Sequence, residues 1–188
     1  QRETEGGPIG DCGTRTKRGR CGDEPWIRTV LTLAIIWHSR TGASQALAQA
    51  AHAATGERSR LLPAAQVEPA DLLAADAYLF ACPENLGTMS GAMKEMFDRC
   101  YYPMLGQIEG RAYASVIAAG SDGHGAQAQL DRIVTGWRLK RVAEPLIVGF
   151  AAQTPAEILA PKIVPAADLA RCAALAQALV EGLELGVF

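Results

Sequence analysis

A short run of hydroxyl-bearing residues is the first feature of the sequence with recognisable chemistry. Ser39, Thr41 and Ser44, with Gly42 among them, lie between an apolar run and an alanine-rich segment, residues 43–55, that is predicted to be a helix. The first N–H groups of a helix lack intrahelical partners, and the helix dipole favours an anion there. Hydroxyl donors and a glycine that permits close approach therefore predict a phosphate-binding loop. Its members are Ser39, Arg40, Thr41, Gly42, Ala43 and Ser44.

Two common phosphate motifs are absent from this turn. The sequence has no G-x-x-x-x-G-K-[ST], which argues against a P-loop NTPase, and no G-x-G-x-x-G, which argues against a dinucleotide fingerprint. A Ser/Thr/Gly turn before a helix is also a common N-cap, so this loop alone leaves a purely structural role open. For Arg40, an orientation over the phosphate and one towards solvent both stay open.

A second suggestive segment follows another predicted strand, residues 76–82. Residues 83–91 read PENLGTMSG, and residues 92–99, AMKEMFDR, are predicted to be helical. This segment resembles the P-x-x-x-G-x-M-S-G-x-M-K-x-x-x-D-R element of the flavodoxin-like NAD(P)H-dependent flavin and quinone reductases. The hydroxyl-rich turn, residues 39–44, likewise resembles the T-x-T-G-x-T phosphate loop of flavodoxin-like proteins.

The resemblance implies where a flavin would bind. In that family, the loop after the proline wraps the isoalloxazine ring mainly with backbone amides, which implies this role for Pro83, Glu84, Asn85, Leu86, Gly87, Thr88 and Met89. A third loop follows the predicted strand 113–119 and would close over the pyrimidine side of the ring; it contains Gly120, Ser121, Asp122 and Gly123. Glu84 is the exception, because a carboxylate beside a flavin opposes its reduction unless the side chain turns away.

The three loops need a scaffold that brings them together, and the order of predicted elements provides one. Apolar runs predict strands over residues 30–37, 58–62, 76–82, 113–119 and 142–150, the last bent by Pro145. Helices are predicted over residues 43–55, 69–75, 92–99, 126–137 and 166–185. This alternation predicts a doubly wound, five-stranded parallel sheet of order 2-1-3-4-5 between two helical layers, α/β/α. The resemblance implies that this fold is flavodoxin-like.

Composition favours one compact domain over residues 28–188, preceded by a different kind of segment. Residues 1–27 are rich in glycine and charge without apolar periodicity, which predicts a disordered extension. Hydrophobic residues make up 49% of the 188, and no apolar stretch approaches the length of a membrane span. The net charge of −2 provides no basic field for nucleic acid.

The five cysteines are irregularly spaced, with no CxxC and no Cys/His cluster. Disulfide and metal roles are therefore not expected, and Cys82, Cys100 and Cys172 are predicted to be core residues. Thiols of this kind are typical of a reducing compartment, so a cytoplasmic location is expected.

The function predicted from these features is an FMN-dependent oxidoreductase that takes hydride from NAD(P)H as co-substrate and reduces a quinone, a flavin or a similar small molecule. FMN is favoured over FAD because one hydroxyl loop suits one terminal phosphate and no pyrophosphate site is visible. No side chain is expected to be catalytic, since the cofactor carries the chemistry.

Two other functions stay open. One is a flavodoxin-type electron carrier that binds FMN without a substrate of its own. Such carriers are usually strongly acidic, whereas residues 29–188 hold 12 Lys and Arg against 15 Asp and Glu. The other is a flavin-free binding or regulatory domain, because a fold does not fix a function.

A homodimer is expected from the resemblance, because two subunits of those reductases complete each other's flavin pocket. The candidate surface is the predicted helix Ala92 to Arg99 with the segment Tyr101 to Leu105, whose aromatic and methionine side chains are typical of interface cores. The alternative is that these side chains fold inwards in a monomer.

Overall fold

The computed structural model describes residues 31–188, and the expectations for residues 1–27 lie outside the described residues. Strands alternate with helices along the chain. The strands are β1 (Leu33–Trp37), β2 (Ser59–Pro63), β3 (Ala77–Asn85), β4 (Thr88–Met89), β5 (Ala112–Ala119), β6 (Lys140–Arg141) and β7 (Leu146–Gly149). The helices are α1 (Ala43–Thr55), α2 (Pro69–Leu73), α3 (Gly91–Met104), α4 (His124–Gly136), α5 (Pro155–Leu159) and α6 (Ala166–Glu184).

The main sheet is parallel and runs β2-β1-β3-β5, with β6 and β7 both pairing with the outer side of β5. If β6 and β7 are taken as one interrupted fifth strand, this is the predicted order 2-1-3-4-5, which is confirmed. β4 alone is antiparallel, and it pairs with the end of β3. Crossovers between parallel strands carry the helices to both faces of the sheet.

Both faces of the sheet are buried, as expected for a doubly wound fold. On one face, side chains of β3 such as Tyr78 and Phe80 pack with α2, α3 and α4. On the other face, Leu79 and its neighbours pack with α1 and α6. Because successive strand residues point to opposite faces, these unbroken apolar runs fill two cores at once.

The cysteines of the described region lie inside these cores. Cys82, Cys100 and Cys172 are buried free thiols. Burial disfavours the thiolate and raises the pKa of Cys82 and of Cys172 to about 12. These thiols are therefore packing groups with little nucleophilic character at neutral pH.

The structure differs from the sequence predictions at four places, one of which is the third helix: α3 continues to Met104 instead of ending at Arg99. Residues predicted as an open loop after β3 form a hairpin, because β3 continues to Asn85 and β4 returns beside it. Of the predicted strand 142–150, only β7 (Leu146–Gly149) forms; residues 142–145 are irregular, since proline has no N–H for a ladder, and β6 pairs with β5 just before them. The short helix α5 was not predicted. No helix within residues 31–188 is long and apolar enough to cross a membrane.

Candidate functional site

A cavity of about 680 Å³ opens at the carboxyl ends of β1, β3 and β5. All three predicted loops contribute to its wall, as the switch point of a doubly wound sheet requires. The predicted site residues that line it are Ser39, Arg40, Thr41, Ala43, Ser44, Pro83, Glu84, Asn85, Leu86, Gly87, Gly120 and Ser121. Those that do not line it are Gly42, Thr88, Met89, Asp122 and Gly123.

The first loop is shaped by Gly42, which stands at the N-cap of α1 with a φ of 92°. Only glycine adopts this left-handed conformation without strain, which explains its place in the loop although it does not line the cavity. The Ser39 Oγ accepts the Gly42 N–H at 3.1 Å and holds the turn. The Thr41 carbonyl accepts the N–H of Lys162 at 2.7 Å, so a distant segment is fastened to this loop.

Ser44 carries the most informative atom of the loop. The residue is fully buried, lines the cavity, and its Oγ has no hydrogen-bond partner among residues 31–188. A buried hydroxyl without a partner is costly and uncommon in folded proteins. In the first turn of α1, this donor and the unpaired helical N–H groups fit a phosphate group of a ligand.

Two cationic side chains line the same cavity. Arg40 is exposed at the first loop. The Lys162 Nζ donates to the carbonyls of Ala160 at 2.9 Å and Ile158 at 3.3 Å, and also to that of Glu157. Sequence reasoning missed Lys162, because it lies in no motif and reaches the loop only through the fold. These two charges complement an anionic ligand.

His38 follows β1 and joins the first two loops without lining the cavity. Its ring Nδ1 lies 2.8 Å from the Oγ of Ser90, which is buried just before α3. Burial, and then the charge of Arg40, lower the pKa of His38. The neutral ring is thereby favoured, and it acts as a structural link between the end of β1 and the start of α3.

The second loop is an ordered hairpin. Glu84 pairs with Met89 and Asn85 with Thr88 across a turn made of Leu86 and Gly87. Both turn residues have positive φ, 51° and 72°. This is the sign that two-residue hairpin turns require. The paired strands therefore hold the turn residues, Leu86 and Gly87, in place at the wall of the cavity.

The Glu84 carboxylate, which would oppose the reduction of a nearby flavin, is bound to the N-terminal end of α4. Its Oε2 accepts the Gly123 N–H at 2.8 Å, and its Oε1 accepts the Ala126 N–H at 3.2 Å. The first turn of α4 has no side-chain cap from its own N-cap glycine, so this carboxylate supplies the missing acceptors. The charge lies against the positive end of the helix dipole, which stabilises it there.

Two further contacts join the hairpin to α4. The Met89 N–H donates to the Gln129 Oε1 at 2.9 Å. A Cβ on Gly125 would lie 2.1 Å from the carbonyl oxygen of Gly87, so only glycine permits this approach. The second and third loops are thus held together by backbone and side-chain contacts at once.

The third loop is partly turned away from the cavity. Gly120 and Ser121 line the cavity, whereas Asp122 is exposed and its Oδ2 accepts the His124 N–H at 3.2 Å. Gly123 is buried, and a Cβ on it would lie 2.6 Å from the Cγ2 of Ile147. Asp122 and Gly123 therefore shape the turn into α4 instead of the cavity wall.

Apolar residues complete the wall, and sequence reasoning did not include them. Besides Lys162, the additional lining residues are Ala118, Ala119, Phe150, Ala152, Ile158 and Leu159. Ile158 and Leu159 belong to α5, whose start is marked by a capping box between Thr154 and Glu157 with Pro155 at the first helical position. The T-P-A-E pattern of residues 154–157 is typical of a helix start and could have predicted this helix.

A family model described as NADPH-dependent FMN reductase matches residues 57–151. The chain belongs to this family. The match contains the hairpin and the third loop, and it begins after the first loop. This membership and the flavodoxin-like fold agree with the resemblance seen in the sequence, and they identify the chain as a flavin-binding oxidoreductase.

Solved structures show the same fold at low identity. A flavodoxin from the domain Archaea has a TM-score of 0.68 at 15% identity, and the alignment covers 82% of this chain and 99% of that one. The NAD(P)H:(acceptor) oxidoreductase FerB from Paracoccus denitrificans has a TM-score of 0.60 at 14% identity, covering 82% and 97%. An NADPH-quinone reductase from P. pentosaceus has a TM-score of 0.54 at 17% identity, covering 78% and 97%. No curated protein matches the sequence significantly.

Proposed function

We propose that this protein binds FMN in the cavity at the ends of β1, β3 and β5 and transfers electrons from NAD(P)H to a small-molecule acceptor such as a quinone or a flavin. The observation that carries the proposal is the buried Oγ of Ser44, which has no partner among the described residues; Ser44 stands in the first turn of α1 and lines a cavity of about 680 Å³. A hydroxyl in that position is satisfied when a phosphate accepts from it.

The phosphate end of FMN would be held by groups from two segments. Thr41 and Ser44 supply hydroxyl donors, and the first turn of α1 supplies N–H groups and the helix dipole. Arg40 and Lys162 add positive charge to the same cavity. This donor set fits a phosphate monoester, which carries one to two negative charges at neutral pH.

The ring would lie between the hairpin and the third loop. The hairpin residues 83–87, together with Gly120 and Ser121, line the cavity. FMN, when bound, supplies the redox chemistry by taking a hydride from a nicotinamide and delivering two electrons to the acceptor. The task of the chain is to orient the ring and to keep the charge of Glu84 on α4, where the N–H groups of Gly123 and Ala126 hold it.

The proposal is tested by identifying the cofactor and its reductant. Mass analysis of the cofactor released by heat from the purified full chain should show FMN, and FAD as the main species would contradict the single-phosphate site. Anaerobic titration with NADH and with NADPH should then bleach the flavin absorbance without any partner reductase. A flavin that stays oxidised under both nicotinamides would point to an electron carrier instead.

We also propose that two copies associate through the exposed end of α3. Tyr101, Tyr102 and Leu105 are 38%, 77% and 51% exposed, whereas Met104 is buried. The two tyrosine rings meet edge to face with centroids 5.1 Å apart and form an exposed aromatic surface. Light scattering at micromolar concentration should report about twice the 19.9 kDa chain mass, and a fully active monomer would exclude a shared pocket.

A further inference from the structure

Leu86, at the tip of the hairpin, combines two features that folding alone disfavours. Its φ of 51° places a γ-branched side chain in the left-handed region. Its side chain is fully exposed, with a relative accessible area of 103%. The first position of such a turn is normally occupied by Asn, Asp or Gly, which tolerate positive φ. A leucine there gains nothing from burial and adds strain.

The position of Leu86 suggests what the side chain is for. It lines the cavity that the phosphate loop also lines, and it reaches this cavity from the hairpin. Two more exposed aliphatic side chains, Ile158 at 52% and Leu159 at 78%, line the same cavity from α5. Strain and exposed apolar surface that cluster at a cavity indicate a role in binding.

The surroundings favour an apolar occupant beside these side chains. Glu84, the nearest acidic residue along the hairpin, has both carboxylate oxygens engaged by the N–H groups of Gly123 and Ala126. The Lys162 ammonium is turned to backbone carbonyls at the end of α5. The aliphatic side chains of Leu86, Ile158 and Leu159 gain most from contact with an apolar ring.

We propose that Leu86, together with Ile158 and Leu159, determines specificity for electron acceptors with an uncharged aromatic ring, such as naphthoquinones, by packing against that ring at the mouth of the cavity. This inference rests on the proposed function. Leu86 takes no part in the electron transfer itself, and its side chain acts by contact with the acceptor.

The test is the Leu86→Asn variant of the full chain, with menadione as the uncharged ring acceptor and ferricyanide as an acceptor that needs no ring contact. If the ring covers roughly half of one leucine side chain, the KM for menadione should rise about 3- to 13-fold more than the KM for ferricyanide, with variant and wild type compared at equal flavin content. Ferricyanide thus serves as the internal reference for any effect of the substitution on the flavin itself. Leu185→Asn is the matched control, because Leu185 is 77% exposed and lies at the end of α6 outside the cavity lining.

A measurement without turnover separates this inference from the proposed function. Calorimetric titration of the protein as purified with menadione, without nicotinamide, should show a Kd weakened by a similar factor in Leu86→Asn and unchanged in Leu185→Asn. The thermal midpoint of Leu86→Asn should be equal to the wild-type value or higher by about 2 °C, because asparagine suits the turn.

An unchanged Kd in Leu86→Asn, an equal loss in Leu185→Asn, or no binding of menadione to the wild type would overturn the inference. Parallel increases in both acceptor KM values would overturn it as well, since they would show general damage to the site. Failure of the proposed function has another signature, a wild-type flavin that neither nicotinamide reduces. The calorimetric comparison still decides the role of Leu86 in that case.

Discussion

Removing the Glu84 carboxylate is the sharpest perturbation of the link between the hairpin and α4. In Glu84→Ala, the N–H groups of Gly123 and Ala126 lose acceptors at 2.8 and 3.2 Å. Both residues are buried, so water replaces the acceptors poorly. The shorter charge-assisted bond contributes about 1.5–3 kcal/mol and the longer one about 0.5–1 kcal/mol, so the unfolding free energy should fall by about 2–4 kcal/mol. Glu84→Gln keeps one acceptor oxygen and should lose about half of that.

The measurement is denaturant unfolding of the full chain at matched flavin content, because a bound ligand adds its own stabilisation. Amide exchange should accelerate at Gly123 and Ala126 in particular. Glu109→Ala is the control, since Glu109 only forms an exposed pair with Arg138 at 3.5 Å and should change stability by less than about 0.5 kcal/mol. If Glu84→Ala lowers the unfolding free energy no more than this control does, Glu84 does not stabilise the start of α4 and does not link the hairpin to it.

Three other variants probe separate parts of the site. Replacing Thr41 and Ser44 together by Ala should weaken FMN by about 10- to 200-fold in calorimetry, and a change below about threefold would place the phosphate elsewhere. Gly125→Ala should lower the unfolding free energy by about 1–3 kcal/mol because its Cβ would meet the Gly87 carbonyl, and a neutral result would show that the hairpin yields easily. Because the pKa of His38 is lowered from 6.5 by folding, the unfolded chain binds that proton more readily; stability should therefore fall as the pH drops through 6.5. In titrations of unfolding free energy, His38→Asn should lose this part of the pH dependence, and an identical profile would exclude it.

The order of helices and strands could largely be predicted from the sequence, because the local hydrophobic pattern of these elements matches their burial in the fold. The helix predicted over residues 43–55 is α1, Ala43–Thr55, since a glycine stands on either side of an alanine-rich run. The parallel order followed from alternating apolar runs and from the handedness of crossovers. The loops that line the cavity were found because they follow those strands.

The contacts between the loops could not be predicted from the sequence. Glu84 could be placed near the site, but its partners on α4 lie 39 and 42 residues away and no local rule selects them. Lys162 lies in the segment that precedes α6. Because α6 packs beside α1, this segment lies next to the first loop, where the Lys162 N–H donates to the Thr41 carbonyl. The hairpin was missed since Leu86 replaces the Asn or Asp that usually marks such a turn. In each case a tertiary contact, which local sequence preferences do not reveal, determines the position of the residue.

The continuation of β3 into the hairpin makes ligand affinity and local stability depend on the same hydrogen bonds. The pairs Glu84 with Met89 and Asn85 with Thr88, and the Ser90 N–H to the Pro83 carbonyl at 3.1 Å, form when the chain folds. A segment ordered beforehand loses little conformational entropy when a ligand arrives. A substitution that disrupts this short ladder should therefore lower ligand affinity and melting temperature together, and excess ligand would restore the occupancy and the melting temperature.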